Sequence, residues 1–353
     1  MMRLQLFTPA YIVFLLGICG GARAHVNWTT VKCIGADFNN SCLFTDVLLL
    51  DGKFHQLLPN GTKIERHRIN LAAQDFYRSE GIGEKNFASE QERDAFLRTN
   101  KTIFSVNDIA IFFHCYYGHI MHHIYDCWYA PFMAITKFFP ADTQVVPVMN
   151  TPICEKEPCW HEMMMGSFFG REFFNVKKYD PKVGIIFKQI IIGVQSLGIK
   201  GFYPDMQISH TSIDSVHIFR DRVYVTQGLP PPAPLSANKS AIQKACIFSN
   251  KRFTKEDNLA IQEMKKVINA QNVTEGLIVE NFHFGTSLKQ QLEDLSKIAI
   301  YITGPGTGLL EHIFLPDGGV VVNVGALAKD CMVPPKTVPY FMEACVAGST
   351  WTY

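Results

Sequence analysis

The run YYGHIMHHIYDCWYAPF, from Tyr116 to Phe132, sets His119, His122, His123 and Asp126 among Ile, Met, Tyr, Trp and Phe. Read as a helix at about 100° per residue, these four polar side chains share one narrow stripe, because positions i, i+3, i+4 and i+7 stack on one face. Burying a carboxylate and three imidazoles costs several kcal/mol unless they are paired or line a wet cleft. Three chemistries suit the stripe: acid or base work on a cleft wall, a satisfied polar seam between helices, or metal ligation. The spacing is no metal fingerprint, so no metal site is assigned.

A second group follows an apolar strand-like run. ITGPGTGLLEHIFLPDGG, from Ile302 to Gly319, crowds Gly304, Gly306, Thr307 and Gly308 between that run and a helix start. Such a turn aims backbone N–H groups and a helix dipole at an anion such as a diphosphate. The bland alternative is an ordinary glycine-rich turn. A third group, Asn250, Lys251 and Arg252 in SNKRF, also follows an apolar run. The planar fork of an arginine suits phosphate oxygens, and a solvated basic loop is the alternative.

The elements that must position these groups are clearest after residue 240. KACIFSN (244–250), GLIVEN (276–281), IAIYIT (298–303) and GGVVVNVG (318–325) read as strands. Between them lie a helix begun by Thr254 with Asp257 in capping-box spacing, a helix over 286–297, and, over 304–314, a glycine loop opening a short helix. Strands alternating with helices predict a parallel, Rossmann-like sheet, whose ligands bind at the carboxyl ends of the strands. Earlier, DIAIFFHC (108–115) and TQVVPVM (143–149) read as strands flanking a helix from about Gly118 to Phe138. VHIFRDRVYV (216–225) alternates like a hairpin strand. The run GLPPPAPLSANKS (228–240) is proline-rich enough to block regular structure. The expected division is therefore residues 1–24 as a leader, 25–228 as an N-terminal α/β domain, 229–240 as a linker, and 241–353 as a C-terminal Rossmann-like domain.

Residues 1–24 carry Arg3, an apolar run from Leu6 to Cys19, and Ala22-Arg23-Ala24, the pattern of a cleaved secretory signal. An uncleaved signal anchor is the alternative, though the run falls short of the ~20 apolar residues that span a bilayer. Membrane attachment is expected only in that case. Six sequons, at Asn27, Asn39, Asn60, Asn100, Asn238 and Asn272, agree with a route through the ER or Golgi lumen or to the exterior. Of the ten cysteines, nine lie beyond the leader, so at least one stays out of intrachain disulfides. Cys33 with Cys42, and Cys154 with Cys159, are close enough to bridge. On a helix, Cys115 and Cys127 would stand roughly 18 Å apart and could not pair. With 33 basic and 32 acidic side chains and no basic block, a nucleic-acid partner has no electrostatic footprint.

At residue level the chain resembles glycosyltransferase family 61, which includes the EGF-domain-specific O-linked N-acetylglucosamine transferase and plant xylosyl- and arabinosyltransferases. The family carries G-x-H-G-A-G-L after a strand, then a short helix and F-L-P. Here Gly306, Gly308, Leu309 and Phe314-Leu315-Pro316 fit that pattern. The family's N-x-x-H-x-x-x-D is matched by His119-x-x-His122-x-x-x-Asp126. Pro305 stands where the family has histidine, Thr307 where it has alanine, His119 where it has asparagine, and Asn250 where it has arginine.

The resemblance, over roughly residues 105–350, implies an α/β, GT-B-like fold: two Rossmann-like domains facing across a cleft. It implies inverting transfer of an N-acetylglucosamine- or xylose-type sugar from a nucleotide sugar, such as a UDP-sugar, to a hydroxyl of a glycoprotein or glycan. Asp126 or His122, with His119, would act as base or acceptor positioner. Gly304, Gly306, Thr307 and Gly308, with Asn250 and Arg252, would cradle the donor diphosphate. No bound cofactor is implied, and the absence of Asp-x-Asp weighs against a metal-dependent GT-A enzyme. A non-catalytic lumenal relative and a metal-dependent hydrolase are the competing readings.

Overall fold

The computed structural model describes residues 25–35, 40–64, 69, 82–99, 103–114, 123–149, 160–176, 180, 182–194, 213–235, 243–248, 253–271, 277–282, 287–304 and 307–323. The chain divides into two compact units, one of residues 1–117 with 130–196, the other of 118–129 with 197–353. Both are α/β.

The first unit is built on an eight-stranded sheet. Its strands are β1 (Thr30–Ile34), β2 (Ser41–Leu50), β3 (Lys53–Pro59), β4 (Gly83–Phe87), β5 (Ile103–Phe113), β6 (Val146–Met149), β7 (Phe174–Asn175) and β8 (Gly184–Ile192). The order is β4-β3-β2-β8-β5-β6-β7, with β1 paired to β2 off this path. From β8 through β5 and β6 to β7 the strands are parallel, whereas β2 runs antiparallel to β1, β3 and β8. The first unit is therefore α/β as expected, on a mixed sheet compatible with a Rossmann-like domain. One cause is local: Asp51 and Gly52 both take positive φ, 52° and 73°, the two-residue turn that closes a tight hairpin between β2 and β3. The antiparallel β2–β8 pairing instead joins strands distant in sequence.

The expected strand over 108–115 is longer, and the expected helix from Gly118 to Phe138 is described from residue 123. A π-helix covers His123–Tyr129 and runs into α2 (Ala130–Thr136). The unit also holds α1 (Glu90–Thr99) and α3 (Trp160–Phe169). Its core is aromatic and β-branched: Phe44, Phe54, Phe112, Phe174, Phe187, Ile185 and Ile190 pack in one cluster. A Cys33–Cys42 disulfide ties β1 to β2, as the short spacing predicted. Cys127 in the π-helix is also disulfide-bonded. Cys154 and Cys159 lie outside the described residues.

The second unit carries β9 (Gln243–Phe248), β10 (Leu277–Phe282), β11 (Ile298–Thr303) and β12 (Val320–Asn323), all parallel in the order β10-β9-β11-β12. Four strands and their parallel sense follow the sequence reading, with ends shifted by two residues at most. α5 (Lys255–Gln271) begins at a capping box. The Asp257 carboxylate accepts from the Thr254 N–H at 2.8 Å, and the Thr254 hydroxyl accepts from the Asp257 N–H at 3.0 Å. Ile261, Met264 and Ile268 of α5 pack on Ala245, Ile247, Ile300 and Ile302, one face of the sheet. α6 (Leu288–Leu295), capped by Ser287, buries Leu288, Leu292 and Leu295.

One element is corrected outright. Residues 216–225, read as a hairpin strand, belong to α4 (Ile213–Thr226). Val216, Phe219, Arg220, Val223 and Tyr224 are the buried positions, a helical rather than an alternating set. α4 groups with the second unit, although the expected boundary lay after it. The Tyr224 hydroxyl lies 2.7 Å from the Phe314 carbonyl and 3.0 Å from that of Leu292. The prolines after it are irregular as expected, and the Leu235 N–H is bonded to the Asp317 carbonyl at 2.9 Å.

Candidate functional site

β9 and β11 are neighbours in the second sheet, yet the chain reaches β10 between them. The connection leaving β9 therefore goes to one side and that leaving β11 to the other. Their carboxyl ends form the switch point, where open α/β sheets leave a crevice for ligands. Register places Ile247 beside Ile302, so Phe248 and Thr303 end the two strands together. The segment holding Asn250 and Arg252 starts just past Phe248, and the glycine turn starts just past Thr303. Both expected donor segments thus spring from adjacent strand ends.

Thr303 and Gly304 are buried at that edge. Beyond them the expected short helix forms as a 3-10 helix over Thr307–Phe314, which includes the backbone of Thr307 and Gly308. Gly306, Asn250 and Arg252 lie outside the described residues, as do His119 and His122. Asp126 and His123 lie on the π-helix, in the same compact unit as β9 and β11. A π-turn is an uncommon departure from α-geometry that concentrates at functional sites. Tyr129, its last residue, meets Phe219 of α4 edge to face at 4.9 Å.

Behind the turn sits a polar group absent from the sequence reading. The Tyr301 hydroxyl donates to the Glu311 carboxyl at 2.9 Å, and both side chains are buried. Burial pushes the Glu311 carboxyl well above its ordinary range, only partly opposed by the hydrogen bond from Tyr301. Burial, reinforced by Glu311, pushes the Tyr301 phenol up as well. Burial thus favours the protonated acid at Glu311, whose bond with Tyr301 clips the 3-10 helix to β11. Phe248 stacks on the Tyr301 ring at 4.1 Å, so the ends of both strands share this packing. A lone glutamate in the apolar run LLEHIFL was the available signal.

The turn after the 3-10 helix is fixed by a buried arginine. Arg220 of α4 binds Asp317 at 2.5 Å, Asp221 at 2.9 Å and the Leu315 carbonyl at 3.3 Å. His217 Nε2 lies 3.5 Å from the same Asp317 carboxylate. Although burial opposes the charge, these bonds raise the Arg220 guanidinium above its usual range. α4 and the Pro316–Gly319 turn thus hold the C-terminal end of the element that follows the glycine turn.

Among the described residues, no group of three or more His, Cys, Asp or Glu is placed to hold a metal ion. Of the expected glycan acceptors, Asn27 and Asn60 are described and exposed. Asn39, Asn100, Asn238 and Asn272 lie outside the described residues. Among those residues no helix is long and apolar enough to cross a membrane. No protein-family model matches the chain, and no curated protein matches it.

Proposed function

We propose that the protein is a GT-B-like inverting glycosyltransferase of the secretory-pathway lumen. Its second unit would hold a nucleotide sugar, UDP-linked by preference, and the acceptor is a hydroxyl of a glycoprotein or glycan. The observation that carries this reading is the juxtaposition of the β9 and β11 carboxyl ends, which gives the Asn250–Arg252 segment and the Gly304–Gly308 turn a common origin at a switch point. Backbone amides of such a turn, with Arg252, suit a diphosphate whose charge grows as the sugar departs. Asp126, with His122 and His119, supplies the base that takes the acceptor proton as the hydroxyl attacks the anomeric carbon. The sequons and the Cys33–Cys42 disulfide support the lumenal route.

The test is thermal shift and calorimetry with a panel of nucleoside diphosphates and nucleotide sugars, followed by donor-hydrolysis assays. A shift with one nucleotide class and slow hydrolysis of its sugar conjugate are expected. No shift with any nucleoside diphosphate removes the transferase reading. Tight binding with no turnover on any acceptor would favour the second reading, a non-catalytic relative, which Pro305 and Asn250 motivate.

A further inference from the structure

Two N-glycan sequons lie in the described part of the first unit, and the fold treats them in opposite ways. In Asn27-Trp28-Thr29 every residue is engaged. The Asn27 amide donates to Asp46 at 3.2 Å. Trp28 lies under the Arg93 guanidinium, 4.5 Å from the ring, and against Phe87 at 6.5 Å. Thr29 is buried, and its hydroxyl both donates to the Asp46 carbonyl at 2.7 Å and accepts from the Leu57 N–H at 2.8 Å. The hydroxyl by which a sequon is recognised is thus buried in the sheet with its donor and one acceptor site taken.

Asn60-Gly61-Thr62 is the reverse. It forms the exposed turn that ends β3, with Thr62 N–H and hydroxyl both bonded to the Pro59 carbonyl, at 3.2 and 2.7 Å. Gly61 takes φ 81° and has nothing within 4 Å of where a side chain would begin. The Asn60 backbone is anchored by its N–H on the Phe87 carbonyl at 2.9 Å, which leaves its side chain on the surface.

We propose that Asn60 is the N-glycan acceptor the folded first unit presents, and that Asn27 can be modified only before β1, β2 and β3 assemble. As an event in the lumen this rests on the routing proposed above; as a property of the fold it does not. In the step, the Asn60 amide nitrogen attacks C1 of an oligosaccharide on a polyprenyl diphosphate. The C1–N bond forms, the C1–O bond to the diphosphate breaks, and the amide proton passes to a base of the transferring enzyme. For Asn27, all the locking partners (Asp46, Leu57, Phe87 and Arg93) come later in the chain, so its window closes as they emerge.

The test uses the full chain made without glycans in bacteria and refolded with Cys33–Cys42 oxidised. It is incubated with a purified oligosaccharyltransferase and lipid-linked oligosaccharide, beside the same chain reduced, alkylated and kept unfolded. Peptide mass spectrometry reads occupancy at each asparagine. In the folded chain Asn60 is expected to be modified at least about tenfold faster than Asn27, because Asn27 must wait for local unfolding. In the unfolded chain the two approach parity, and Thr62→Ala silences Asn60 alone. Equal rates in the folded chain overturn the proposal, as does a bare Asn60 or an Asn27 that stays bare when unfolded. Failure of the routing looks different: Asn60 reacts in the tube but is bare in protein recovered from a secreting cell.

Discussion

The hydroxyl of Tyr301 on β11 donates to the carboxyl of Glu311 on the 3-10 helix across 2.9 Å, with both groups out of solvent. Because burial raises the Glu311 pKa above its unfolded value, the folded chain binds this proton more tightly than the unfolded one. The associated stability is full below the unfolded carboxyl range and is lost as pH rises toward the folded value. Glu311→Gln keeps the shape and the acceptor but removes the proton. Its stability relative to the parent should therefore improve as pH rises from about 4.5, in urea melts across that window. Tyr301→Phe, which strips the carboxyl of its donor, should cost about 1–3 kcal/mol.

Lys137 offers the opposite sign. Burial alone lowers its amine to about 8, and its ammonium nitrogen reaches the Ser41 hydroxyl at 3.1 Å. Below that pH the folded state must hold a charge that the unfolded chain solvates better, so stability rises as pH climbs from about 8 toward the ordinary lysine value. Lys137→Met should be more stable than the parent at neutral pH, and the gap should narrow in alkali. Chemical denaturation at the two pH values checks it.

Asp46 sits inside β2 at φ 49°, opposite Lys188, which it pairs with at 2.5 Å. Losing the charge strands a partly buried ammonium, so Asp46→Asn should cost about 3 kcal/mol. Asp46→Ala should cost about 1 kcal/mol more, because alanine tolerates the left-handed region less well than asparagine. Urea midpoints of the two variants test the order.

Asp126→Asn should abolish sugar transfer while leaving the melting temperature and the nucleotide-induced shift unchanged, since the proposed role is removal of a proton. Retained turnover would contradict that role. A lost fold would instead show that the carboxylate is structural.

Much of the second unit could be read from sequence because its signals are local. Thr254 and Asp257 announce a helix start, and the apolar runs at 243–248, 277–282 and 298–303 are too short for helices. The first unit was harder, since β2 and β8 are largely apolar strands whose partner and direction are set by distant strands. One signal was present and unused: Asp51-Gly52 between apolar runs marks a hairpin. The alternation in 216–225 misled because Arg220, an apparent surface residue, is buried to bind Asp317. Of the proposed site, the glycine turn and the Asp126 segment were visible as residue types. Glu311 and Tyr301 were not, because their pairing links a strand to the element after it.

The bond from the Leu235 N–H to the Asp317 carbonyl, with Arg220 gripping the side chain of the same aspartate, bears on how the chain can be cut. A fragment begun at the start of β9, Gln243, would discard both contacts, together with the hydroxyl of Tyr224 that rests against the carbonyls of Leu292 and Phe314. The smallest C-terminal piece able to keep its loops in place therefore starts upstream of Ile213, and protease nicks within the proline stretch should leave the two products associated.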